Sequence, residues 1–230
     1  MTIDKSQIRD AATVIVLRDT GTTPRILMGQ RGAKAAFMPN KFVFPGGAVD
    51  TGDAAVPLGT GLPTACATRL DDDSAPGLGP ALAAAAVREL FEETGQVLGT
   101  PGDWPDAPVD WQAFAATGHR PHAAALRFVF RALTPPGRSR RFDARFFTVS
   151  ADALASDPDD FSAASDELSH LQWVDLAQAR RFDMPFITEV VLSEVQAQLE
   201  GAPAPTSVPF FKNDDEESLF LRLRGQPMTD

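Results

Sequence analysis

The hydrophobic pattern of this chain changes period several times, and each change marks an element. From Ala11 to Leu17 the residues A-A-T-V-I-V-L form an apolar run rich in β-branched side chains, closed by Arg18-Asp19-Thr20-Gly21 and resumed from Arg25 to Met28. Two such runs across a short turn predict a hairpin. A third short strand, Lys41 to Phe44, runs into Pro45-Gly46-Gly47, where the backbone must turn. From Asp50 to Gly79 the periodicity fades into Gly, Pro, Thr, Ala and Asp, the composition of a loop or a mobile insert. Helical period returns from Pro80 to Thr94: Pro80 suits a first turn, the alanines are the strongest helix formers, and Gly95 supplies a left-handed stop. Beyond it the pattern predicts a short helix around Trp111 to Thr117 and strands at Leu126 to Leu133, Phe142 to Val149 and Leu171 to Val174. An amphipathic helix from Met184 to Leu199 and a terminal strand at Leu219 to Leu223 complete the chain. That order implies an α/β fold with a mixed sheet sandwiched between helices.

Composition narrows the class. With 21 basic and 31 acidic side chains the net charge is −10, which argues against a nucleic-acid partner bound through bulk positive charge. Hydrophobic residues at 43% and charged residues at 23% match an ordinary globular domain. One domain over 1–230 is expected, with an insertion at about 54–79 and a C-terminal helix plus tail at 184–230. A single cysteine, Cys66, has no partner for a disulfide and suits a reducing compartment. No apolar run reaches the ~18 residues of a membrane span and the N-terminus lacks a signal-peptide core, so a cytoplasmic protein without membrane contact is expected. A homodimer is left open.

The chemistry concentrates on the predicted helix at Pro80 to Thr94. Side chains there rotate by about 100° per residue, so Glu89, Glu92 and Glu93 share one face while Ala83, Val87, Leu90 and Phe91 share the other. Three such carboxylates repel, and Arg88, four residues before Glu92, is the one cation placed to compensate. Two readings stand at this point: a solvated acidic face, or a set of oxygen ligands for a hard divalent cation completed by substrate phosphate. No P-loop, G-x-G-x-x-G or H-E-x-x-H motif is present.

The segments Phe44-Pro45-Gly46-Gly47-Ala48-Val49-Asp50 and Arg88-Glu89-Leu90-Phe91-Glu92-Glu93-Thr94-Gly95-Gln96 resemble the Nudix box of the Nudix hydrolase superfamily, usually written G-x5-E-x7-R-E-U-x-E-E-x-G-U with U aliphatic. The second half matches at every specified position but the last, where Gln96 replaces an aliphatic residue. The first half departs further. Six residues after Gly47 stands Asp53 instead of glutamate, and 35 positions separate it from Arg88 instead of eight, an insertion of 27. The insertion is compatible with the motif if the extra residues bulge outward, since loop-closure entropy grows slowly with length.

The resemblance implies a Nudix fold and a metal-dependent hydrolase that cleaves a diphosphate linkage in a nucleotide-containing small molecule, with Mg2+ or Mn2+ as cofactor. Glu92 and Glu93 would be metal ligands, Glu89 a further ligand or the general base, and Gly46 would offer its backbone carbonyl to the metal. Arg88 would orient the glutamates, and Glu167 would be an additional acid drawn from a loop across the site. Leu27-Met28-Gly29-Gln30-Arg31 with Lys34, and Arg141-Phe142-Asp143-Ala144-Arg145, partly resemble segments of a long-insert branch that includes coenzyme A diphosphatase-like members. Arg138, Arg140, Arg141 and Arg145 form a local basic patch in an acidic chain, suited to a phosphate by bidentate contacts. The branch implies coenzyme A or acyl-coenzyme A as substrate, with Arg31, Lys34, Arg141 and Arg145 as its cationic contacts. The alternatives are a hydrolase of ADP-ribose-type or nucleoside triphosphate substrates, and a Nudix-like module that binds a nucleotide without hydrolysing it.

Overall fold

The computed structural model of the chain describes residues 7–202, 207–213, 218–223 and 226–227. Its elements in order are β1 (Ile8–Arg18), β2 (Arg25–Arg31), β3 (Phe42–Val43), β4 (Gly46–Ala48), α1 (Thr64–Asp71), α2 (Leu78–Thr94), β5 (Gly99–Pro101), α3 (Gln112–Ala115) and β6 (His119–Pro121). There follow β7 (Arg127–Leu133), β8 (Arg141–Ser150), β9 (Leu168–Asp175), α4 (Phe186–Leu199), β10 (Pro209–Asn213), β11 (Ser218–Arg222) and β12 (Gln226–Pro227). The rest of the expected tail lies outside the described residues.

The apolar run at the start of the chain is the spine of the sheet. Ala12, Val14 and Val16 of β1 enter one core while Ile15 and Leu17 enter another, all of them buried. A strand covered on both faces needs such a continuous apolar run. β1 pairs in parallel with β8, from Ile8 opposite Arg141 to Leu17 opposite Ser150, and antiparallel with β4, which sets Gly46 opposite Thr13. The sheet runs β12-β11-β10-β7-β8-β1-β2-β3, with β9 joined to β2 and β4 to β1. β10 beside β7 is a second parallel pair, so the sheet is mixed, as the order of elements implied.

Helices cover the two faces. α2 lies in the core that includes Val14, Leu98, Trp111 and Phe147, whereas Val191, Leu192 and Val195 of α4 pack with Ile15, Ile26 and Phe130 in the other. Ala81 to Ala86 are all buried, and a run of small side chains suits a helix enclosed on several sides. Gly95, at φ 75°, ends α2 in the left-handed conformation and donates its N–H to the Phe91 carbonyl at 2.7 Å.

Three expectations change. The first hairpin exists but is short: β1 and β2 pair only at Leu17–Ile26 and Arg18–Arg25, and the rest of β2 turns to β9. β10 and the two-stranded β5–β6 sheet lie in segments where the apolar pattern predicted nothing. The segment at 54–79, expected to be loop or mobile insert, contains α1, whose Cys66 and Leu70 are buried in the same core as α2. Cys66 Sγ also contacts the Leu126 carbonyl and the Phe128 amide. Two apolar positions in eight residues are enough to dock a helix that already rests on α2 and β7, and too few to announce it by period.

Candidate active site

β4 is held edge-on beside the middle of α2, and this closeness builds the site. At Gly46 an added Cβ would fall 2.5 Å from the Ala12 carbonyl oxygen, and at Gly47 it would overlap the Glu89 carboxylate. Only glycine lets the β4 backbone come that near. The Gly46 N–H donates to Glu93 Oε2 at 2.7 Å, so the structure ties Gly46 to the acidic cluster through its amide.

Arg88 organises the rest. Its Nε and Nη2 donate to the two oxygens of Asp53 at 3.0 Å each, a bidentate pair across 35 residues of sequence. Nη2 also donates to the Ala48 carbonyl at 3.0 Å, and Nη1 donates to Glu89 Oε1 at 2.9 Å and Glu92 Oε2 at 3.1 Å. Arg88 and Asp53 are both buried. Burial works against the charged guanidinium, but the Asp53 hydrogen bonds and the charges of Glu89, Asp53 and Glu92 outweigh it and raise its pKa above the ordinary value. Asp53 was legible as the aspartate in the glutamate position of the motif, yet its service to Arg88 only appears once the 27-residue insertion is seen to fold away and leave the two ends in contact.

All three glutamates carry raised pKa values with a common cause. Burial pushes Glu93 up to about 8, with repulsion from Glu89 adding to it and the Gly46 N–H opposing it. Burial likewise raises Glu89 to about 7 against the pull of Arg88, and shifts Glu92 upward. Glu167, exposed at the start of β9, adds repulsion to all three, so it stands within electrostatic reach of them.

Among the described residues no three His, Cys, Asp or Glu side chains are already gathered in chelating geometry, because Arg88 draws Glu89 and Glu92 while Gly46 draws Glu93. The donor set nevertheless suits a hard divalent cation. It is all oxygen and partly desolvated, and burial raises the pKa values of its carboxylates.

The glutamates line a cleft of about 770 Å³ that is also lined by Arg31, Lys41, Arg138 and Arg140 and by Phe37, Phe142 and Phe186. Of the cationic contacts expected from sequence, Arg31 lines the cleft and is near enough to lower the Glu93 pKa. The other three do not line it. Lys34 is exposed beside it. Arg141 donates to the carbonyls of Thr134 and Asn213. Arg145 is buried and bound to Asp10, Asp143 and Ser74. The reason is the period of a strand: Phe142, Ala144 and Phe146 of β8 face the cleft, so their odd-numbered neighbours face away. Of the basic patch expected from sequence, Arg138 and Arg140, in the turn before β8, are the members that line the cleft.

No family model matches the chain. A curated protein named "Putative nudix hydrolase 7" from Caenorhabditis elegans is 32% identical to it over 199 residues, 78% of this chain and 58% of that protein. The crystal structure of a NUDIX hydrolase from Alicyclobacillus acidocaldarius aligns with a TM-score of 0.58 and 26% identity, over 81% of this chain and 90% of that one. The chain belongs to the Nudix hydrolase superfamily. Its box is split by α1 and closed again by the Arg88–Asp53 pair, and this Nudix chain spans 58% of the length of the curated relative it matches.

Proposed function

We propose that the protein is a metal-dependent pyrophosphohydrolase that cleaves a P–O–P linkage in a nucleotide-containing small molecule. One observation supports the reading above the others: a single cleft is lined both by Glu89, Glu92, Glu93 and Glu167 and by Arg31, Lys41, Arg138 and Arg140. An anionic substrate meets a strongly acidic protein there only through bound cations and those local bases.

Glu92 and Glu93 would hold Mg2+ or Mn2+, with Glu89 and the Gly46 carbonyl as further ligands. Such a cation, when bound, would neutralise charge on the substrate's phosphate groups and lower the pKa of water. Arg88 keeps the carboxylates of Glu89 and Glu92 aimed together, and Asp53 keeps Arg88 in place. Glu167, or Glu89 where it is not a ligand, would accept a proton from the attacking water. Arg31 and the Arg138–Arg140 turn would grip the substrate's phosphates by paired hydrogen bonds.

The substrate class we favour is coenzyme A or an acyl derivative. A cleft with bases on its walls and Phe37, Phe142 and Phe186 among them suits a ligand that joins several phosphates to a long, weakly polar arm. Product analysis with coenzyme A, dephospho-coenzyme A, ADP-ribose and nucleoside triphosphates, each with Mg2+ and with Mn2+, tests this. A kcat/KM for ADP-ribose or a triphosphate about tenfold above that for coenzyme A, ~1.4 kcal/mol, would remove the coenzyme A assignment. Binding of all four without turnover would favour a non-hydrolysing module.

A further inference from the structure

Gln96 stands where the superfamily's motif has an aliphatic residue, and it makes three hydrogen bonds that no aliphatic side chain could make. It is fully buried just beyond Gly95. Its Oε1 accepts from Ser156 Oγ at 2.8 Å, and its Nε2 donates to the carbonyls of Asp157 at 3.2 Å and Asp160 at 2.8 Å. Ser156 Oγ accepts in turn from the Val97 N–H at 3.0 Å, and the Ala155 N–H donates to the Val97 carbonyl at 2.8 Å. Farther along, Ala163 packs on Gly95 and the Ser165 N–H donates to the Glu92 carbonyl at 2.8 Å. Segment 155–165 is therefore strapped along the C-terminal end of α2, the helix that bears Glu89, Glu92 and Glu93. Its last anchor lies two residues before Glu167, whose own N–H reaches Ser165 Oγ at 3.4 Å.

We propose that Gln96 is a positioning residue: through Ser156, Asp157 and Asp160 it fixes segment 155–165 on the end of α2, so that Glu167 is presented to the three glutamates of that helix at a set place. The proposal rests on the reading above that Glu167 takes part in the reaction. Other contacts hold the outer side of the same segment to the sheet. Arg18 pairs with Asp159 at 2.6 Å, and Trp173 Nε1 donates to the Pro158 carbonyl at 2.9 Å. Loss of the Gln96 bonds should therefore shift the segment without releasing it.

Gln96→Met keeps the length of the side chain and removes all three hydrogen bonds; Ser156→Ala removes one of them from the other side and stands in if Gln96→Met does not fold. With coenzyme A and ADP-ribose as substrates in Mg2+, Gln96→Met should lower kcat about tenfold and leave KM within about twofold. Glu167→Gln should lower kcat as well, and the double variant should match Glu167→Gln alone, because two changes that act through one group do not add. Amide hydrogen exchange should be faster across 156–167 in Gln96→Met and unchanged in the interior of α2. Wild-type kcat in Gln96→Met beside an impaired Glu167→Gln, or additive losses in the double variant, would overturn the positioning role alone. Wild-type kcat in Glu167→Gln would overturn it together with the part given to Glu167.

Discussion

A single guanidinium decides the local geometry of the acidic cluster, because Arg88 is tied to Asp53, Glu89, Glu92 and the Ala48 carbonyl at once. Asp53 is 2% exposed, so Asp53→Asn removes half of a buried, bidentate pair. It should lower the unfolding free energy by about 3 kcal/mol, the range for breaking such pairs, measured by urea denaturation. An unchanged midpoint would show that Glu89 and Glu92 suffice for Arg88. Glu93→Gln should separate stability from activity. It removes a carboxylate that burial makes costly to ionise, so the metal-free variant should melt above wild type at pH 9 while its kcat falls about 10²-fold. Retention of near wild-type turnover in saturating Mg2+ would exclude Glu93 as a ligand. At this scale the sequence was most informative where spacing was local. The glutamates lie within five residues of each other and of Arg88, and the structure brings Glu89 and Glu92 onto Arg88 while Glu93 accepts from the Gly46 N–H. Arg141 and Arg145 do not line the cleft: the arginine cluster, read without the strand's alternation, misses that β8 turns them away from the face shown by Phe142 and Phe146.

Elements were legible in proportion to how completely their own residues specify them. α2 has a proline in its first turn, an alanine run and a left-handed glycine at its end, and β1 has an unbroken apolar run, so both follow from local sequence. α1 and β10 depend on partners distant in the chain. α1 docks through Cys66 and Leu70, and β10 completes a parallel pair with β7 through Phe210 and Phe211 opposite Arg131 and Ala132. Neither has a period strong enough to stand alone. The insert is thus part of the core, and its replacement by a short flexible linker should not leave an intact fold. Leu70, 1% exposed and facing Gly79 of α2, gives a gentler test. Leu70→Ala should cost about 2–5 kcal/mol of stability, read as an earlier urea midpoint by circular dichroism. A change under about 0.5 kcal/mol, the size expected for a surface position, would restore the view of 54–79 as a dispensable loop.

The whole molecule carries an unfavourable charge balance into its candidate active site. A net charge of −10 surrounds a cleft whose lining includes Glu89, Glu92 and Glu93, and bound cations are the natural relief. The linkage follows from the pKa values. Glu89 at about 7 and Glu93 at about 8 lie above the 4.5 of an unperturbed glutamate, chiefly through burial. Groups raised in the folded state bind more protons there than in the unfolded chain, so their contribution is complete below about pH 4.5 and is lost as pH rises through 7 and 8. In EDTA the melting temperature should therefore fall between pH 6 and pH 9. Millimolar Mg2+ should raise it most at the alkaline end, where deprotonated ligands compete least with protons. Glu93→Gln separates this local term from the general repulsion of an acidic chain: the variant should show a shallower fall with pH and a smaller gain from Mg2+. A metal-free melting temperature that stays level or rises from pH 6 to pH 9, or a Mg2+ gain equal in wild type and Glu93→Gln, would mean that the acidic cluster is neither strained nor the cation site.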